Sequence, residues 1–163
     1  SAFLKDTTDV YNINFQTERS LRIKIEVDTN PPLSFATEQR LMVQPYSFMV
    51  QCMTLPCLFA GKMHALVYRQ WKNRVKGRDW YDFEWYVRWN HPLNWAHLHE
   101  RIVEFSGKEC TKAEFLELLH HRLATTDINQ VKADVLPFVH HPQELDIWSN
   151  DYFLQLAQRI RWE

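Results

Sequence analysis

Cysteine is scarce and unpatterned. Cys52, Cys57 and Cys110 are an odd set with no Cys-x-x-Cys spacing, which argues against a disulfide framework and a thiolate zinc site and fits a reducing cytoplasm. No apolar run approaches the roughly 18 residues that a membrane span needs, and no signal-peptide pattern is visible. Charge of neither sign dominates: 19 Lys and Arg stand against 20 Asp and Glu, so the chain is not a uniformly cationic nucleic-acid binder. Glycine is limited to Gly61, Gly77 and Gly107, and there is no repeat or low-complexity segment. Aromatic residues, by contrast, make up 14% of the 163 residues and include seven Trp. A chain of this size and composition buries one sizeable core and is not disordered.

Strand patterns come first. Tyr11, Ile13 and Phe15 alternate with polar residues, as do Leu21, Ile23, Ile25 and Val27, and the period of two predicts a β-hairpin. Thr29-Asn30-Pro31-Pro32 closes it. Two further short strands are predicted over Gln39 to Val43 and Phe48 to Met53, and Leu55-Pro56 ends the sheet. Helices follow. One is predicted from Leu58 to about Trp71, and a second, apolar on nearly all sides, from Asp79 to Trp89. A third is capped by Asn94 and ends at Gly107. A fourth opens on the capping box Thr111-Lys112-Ala113-Glu114 and reaches about Leu123. A fifth starts at Asp127 and stops before Pro137, and a last one spans Pro142 to Trp162 with a boundary near Ser149 to Asp151. Strands first and helices afterward is an α+β arrangement, read here as a partial sheet over residues 1–54 and a helical bundle over residues 55–163.

The informative stretch runs from Leu58 to Trp89. Six basic residues, Lys62, Arg69, Lys72, Arg74, Lys76 and Arg78, occur with no acid among them, and Asp79 and Asp82 follow at once. Cations beside paired carboxylates suit a phosphate-handling site, because cations hold phosphates while carboxylates place a metal or accept a proton. On a helix, Lys62 and Arg69 share a face, and Gly61 beside Lys62 allows close approach to the backbone. Against this stands the ordinary fate of a helical lysine, a solvated surface. Asp79 and Asp82 likewise admit two readings, capping of a helix start or a role at a ligand. Glu26 and Asp28 share the polar face of one strand, either solvated beside Arg22 and Lys24 or able to bind a divalent cation through oxygen. The His97/His99, His120-His121 and His140-His141 pairs lack a carboxylate or cysteine at ligand spacing and do not read as a metal site.

At these residues the chain resembles the AbiEii/AbiGii toxin family of nucleotidyltransferases, a branch of the polymerase-beta-like superfamily. The resemblance is carried by I-K-I-E-V at Ile23 to Val27, L-F-A-G-K-M-H-A-L at Leu58 to Leu66 with Arg69 following, and R-D-W-Y-D at Arg78 to Asp82. Weaker agreement continues through K-A-D-V-L-P-F at Lys132 to Phe138 and the Trp148 region. It implies transfer of a nucleotide from a nucleoside triphosphate to an acceptor, such as the 3′ end of a tRNA, with Mg²⁺, in a toxin with a partner antitoxin. By the same resemblance Lys62 corresponds to the phosphate-binding lysine; Arg69, on its helix face, and Arg78 are the further nucleotide-binding candidates. Asp79 or Asp82 corresponds to the late essential aspartate, and Glu26 to a third acidic, metal-side position. Independently of the resemblance, the six unopposed basic residues predict an electropositive groove in which Lys72, Arg74 and Lys76 bind RNA.

One departure matters. The superfamily's first motif, Gly-Ser or Gly-Gly followed about a dozen residues later by Asp-x-Asp, does not occur in this sequence. The expectation is therefore the C-terminal portion of such an enzyme, inactive alone, and the start at Ser1-Ala2 reads as an expression scar on a piece of a longer protein. The second reading is a non-catalytic domain that binds RNA or an antitoxin.

Overall fold

The computed structural model describes residues 2–5, 20–69 and 75–163. Strands precede helices, an α+β fold, and the chain divides into two compact units, Ser1–Pro31 and Pro32–Glu163.

In the first unit β1 (Ala2–Lys5) pairs antiparallel with β2 (Ser20–Ile23), from Lys5↔Ser20 to Ala2↔Ile23. The strand expected over Leu21 to Val27 ends at Ile23, and residues 24–28 have no ladder among the described residues. The Tyr11 to Phe15 strand lies outside the described residues.

The second unit opens on a hairpin of β3 (Thr37–Met42) and β4 (Phe48–Met53), with Met42 opposite Phe48 and Thr37 opposite Met53. Helix α1 (Leu55–Tyr68) follows directly, with Pro56 in its first turn where a missing N–H costs nothing. Helix α2 (Gly77–Arg88) starts two residues earlier than expected. The reason is nonlocal: the Gly77 N–H donates to Asp134 Oδ2 at 2.8 Å, so another helix satisfies that free amide. Local caps hold elsewhere. Asn94 accepts from His97 N before α3 (Trp95–Ser106), which ends on left-handed Gly107; Thr111 and Glu114 form the full capping box of α4 (Lys112–Thr125); Asp127 caps α5 (Ile128–Val135). The expected last helical stretch divides at the boundary expected near Ser149, and only Asn150–Ala157 of it is α-helical. A 3-10 turn (Pro142–Leu145) precedes α6 (Asn150–Ala157), capped by Ser149, and Arg161–Trp162 forms a short strand, β6, parallel to β5 (Pro92–Leu93).

Helix α1 packs on α2, α3 and α4, while α2 also packs on α5 and α6. Phe59, Phe83, Phe115, Phe153 and Trp148 are buried between them, and Phe59 stacks on Tyr86 at 4.5 Å. Helix α2 is less enclosed than its apolar composition suggests. Trp85 is 39% and Trp89 68% exposed, while the charged Glu84 is buried. Its carboxylate accepts from Trp148 Nε1 at 3.0 Å and from the Tyr152 hydroxyl at 2.6 Å, tying α2 to α6. No described helix is long and apolar enough to cross a membrane.

Candidate functional site

Two cations on α1 and at its end meet two carboxylates on α2. Lys62 Nζ lies 2.7 Å from Asp82 Oδ2, and Arg69 Nη1 lies 3.8 Å from Asp79 Oδ2. A seven-residue offset places Lys62 and Arg69 on one face, and a three-residue offset does the same for Asp79 and Asp82. Packing of α1 on α2 then sets pair against pair. Lys62 and Arg69 both keep 45% of their side chains exposed, so the cluster borders solvent.

Asp79 is the buried member, with 10% of its side chain exposed. Burial pushes its carboxyl above the ordinary aspartate value; Arg69, Lys62 and Lys76 oppose that, and Asp82 adds to it. It is not the helix cap. Lys76 occupies that position, and Asp79 sits in the first turn, where the helix dipole still favours its negative form.

Beside Asp79 opens a cavity of about 110 Å³. Lys76, Asp79, Arg122 and Thr126 supply its polar groups, over Leu66, Val75 and Trp80. Sequence reasoning missed Arg122, which no motif marks. Its Nη2 donates to Val67 O at 2.8 Å and so occupies a carbonyl in the last turn of α1, just before Arg69.

Arg78 is exposed and holds its guanidinium 5.7 Å from the Phe138 ring. Lys72 and Arg74 lie outside the described residues. Glu26, in the first unit, is exposed beyond the end of β2 and paired with Lys24, so the strand expected to carry it does not reach it. The group that approaches Gly61 is the Arg101 guanidinium: a Cβ there would lie 3.6 Å from it. Arg101 Nε in turn donates to Nε2 of buried His97, whose Nδ1 is 3.1 Å from Leu33 O. Nearby, burial with Arg101 and Arg69 holds His64 down to about 4.

Among the described residues no group of three His, Cys, Asp or Glu side chains is placed to hold a metal ion. Asp79 and Asp82 each face a cation. The described residues thus do not by themselves fit a Mg²⁺ site. What the cluster does offer is a pair of cations at a solvent border, each paired with a carboxylate.

A family model described as "Nucleotidyl transferase AbiEii toxin, Type IV TA system" matches residues 5–156. No curated protein and no solved structure matches the chain.

Proposed function

Given that the chain belongs to the AbiEii family of nucleotidyl transferase toxins of type IV toxin–antitoxin systems, we propose that its α1–α2 face binds the phosphates of a nucleoside triphosphate. The nucleotide is then transferred to an acceptor such as the 3′ end of a tRNA. The observation that carries this reading is the paired arrangement of Lys62 with Asp82 and Arg69 with Asp79. A triphosphate entering here exchanges carboxylate for phosphate oxygens around Lys62 and Arg69. One anion replaces another, so the cations stay where the fold has put them and little ordering cost remains. Arg69 adds a planar fork suited to two phosphate oxygens, and Lys62 a compact charge. Asp82, freed from Lys62, and Asp79 are the candidates for the essential aspartate. Lys76, together with Lys72 and Arg74, serves the acceptor, and Arg78 supports nucleotide binding.

The sequence has no Asp-x-Asp pair, so these residues bind and orient without completing the chemistry. The 163-residue chain alone binds triphosphate weakly and transfers nothing. Incubation with Mg²⁺, labelled nucleoside triphosphates and total RNA tests this, with triphosphate binding followed separately by equilibrium dialysis. The expected result is binding that Lys62→Ala removes, with no label on RNA. Unchanged binding by Lys62→Ala overturns the phosphate site. Robust incorporation shows that the metal ligands lie within these residues and overturns the claim of inactivity.

A further inference from the structure

A cavity of about 450 Å³ is distinct in character from the cationic cluster. It runs between the end of α1, the last turns of α3, the connection after Gly107 and the first turns of α4. Tyr68 and Ile102 give it an apolar floor, and Glu109, Glu114 and Glu117 stand around it. No Lys or Arg is among its lining residues. Two apolar side chains are left uncovered at its border: Leu118 is 44% exposed, and Phe105, 63% exposed, packs on Tyr68 at 5.6 Å.

We infer that this groove is a docking site for a cationic segment of a partner polypeptide, one apolar side chain seated on the floor and flanking Lys or Arg residues meeting the glutamates. Charge complementarity selects the occupant. Three carboxylates with no cation in the lining repel phosphate-bearing ligands, which excludes an extension of the α1–α2 site, and attract lysine and arginine. The volume suits a single large side chain with part of its backbone. The negative charge is built in. Glu114 is fixed by the capping box, with Oε2 accepting from Thr111 N at 2.7 Å, and that bond holds its carboxyl below the ordinary glutamate value. Its field is felt on the floor: Tyr68, raised to about 12 chiefly by burial, is pushed further by Cys110 and Glu114. Glu117 has no ion pair among the described residues, and Glu109 faces only His99, at 2.6 Å. Exposed apolar side chains rimmed by charge of one sign are the surface pattern of a protein contact rather than of a solvated face.

Cys110 lies in the groove and reports on its occupancy, whereas Cys57 is fully buried and serves as an internal unreactive control. The probes are 12-residue fluorescein-labelled peptides with a central Trp flanked by four Lys, the same peptides with Glu in place of Lys, and spermine. They are offered to the whole 163-residue chain. The lysine peptide is expected to bind by anisotropy and to slow alkylation of Cys110 by iodoacetamide at least fivefold, read by peptide mass spectrometry. Added salt, and the double change Glu109→Lys with Glu117→Lys, should each weaken it at least tenfold. Both positions are exposed, and an unchanged melting temperature certifies the variant's fold. The glutamate peptide should leave Cys110 unprotected. Failure of the lysine peptide to protect Cys110, equal protection in the double variant, or equal protection by spermine alone each overturns the inference, the last by showing a site for small cations only.

Discussion

Lys62 Nζ lies 2.7 Å from Asp82 Oδ2, yet 45% of the lysine side chain and 27% of the aspartate are exposed. Water screens a pair in that position, so its contribution to stability is small, up to about 1 kcal/mol. The same exposure leaves the pair open to solvent. Geometry that stabilises little and is held in place by packing around it is the arrangement in which a binding role and a folding role come apart.

Lys62→Ala is therefore expected to lower the melting temperature by no more than about 4 °C in a chain of this size, while abolishing triphosphate binding. Calorimetry and equilibrium dialysis on the same preparation check it. A large drop in melting temperature would make the lysine a structural residue.

Asp79 gives a pH signature. Its carboxyl is raised above the unfolded value, chiefly by burial, so the folded chain holds the proton more tightly than the unfolded one. Its contribution is favourable below the unfolded pKa of about 4 and is lost as pH rises through the higher folded value. Asp79→Asn should then raise stability at pH 7 relative to its own value at pH 3.5 more than the parent chain does. Urea titrations at the two pH values measure that difference, and equal slopes would show that Arg69 already cancels the burial cost.

The elements whose signals lie close in sequence were legible. Asn94 satisfies His97 N, Thr111 and Glu114 satisfy each other, and Asp127 and Ser149 cap within three residues, so the residue pattern contains both partners. The starts and contacts that depended on distant partners were not. Asp134 moves the start of α2 to Gly77 across 57 positions, and Arg122 reaches Val67 O across 55. The site was half legible in the same sense. Helical offsets place Lys62 with Arg69 and Asp79 with Asp82, but which cation meets which carboxylate is decided by the packing of α1 on α2.

At Gly77 the backbone of α2 lies close against that of α5. A Cβ added there would lie 2.3 Å from the Val131 carbonyl oxygen and 3.0 Å from Val135 N, both backbone atoms that cannot swing away. Gly77→Ala should separate α2 from α5 and cost about 1–3 kcal/mol, as overpacked cores do. At Gly107, with φ +68° and nothing within 4 Å, the cost of Gly107→Ala comes from backbone strain alone, about 1 kcal/mol. Urea denaturation of the two variants compares them. Equal costs would mean that α5 gives way at Gly77.

Glu84 supplies the test of how α2 is joined to α6. Its buried carboxylate accepts from Trp148 Nε1 and from the Tyr152 hydroxyl, with Arg88 Nη1 farther off at 3.9 Å. Glu84→Ala removes the acceptor for both donors and opens a void, and stranding buried donors costs about 1–3 kcal/mol each. Glu84→Gln keeps one acceptor oxygen, so Trp148 can stay satisfied while the amide N–H turns to the Tyr152 oxygen; its cost should be roughly half that of alanine. Tyr152 adds an alkaline signature. Burial first, and then its bond to Glu84, raises its hydroxyl to about 12, so the folded chain keeps a proton that the unfolded chain begins to lose near pH 10. Stability from this group is thus complete below about pH 10 and declines toward pH 12. Tyr152→Phe should lower stability at pH 8, where the hydrogen bond is intact, and flatten the loss between pH 10 and pH 12. Tyr68, also raised to about 12, would continue to contribute its own share of the slope. An unchanged alkaline slope in Tyr152→Phe would mean that the hydroxyl titrates alike in both states.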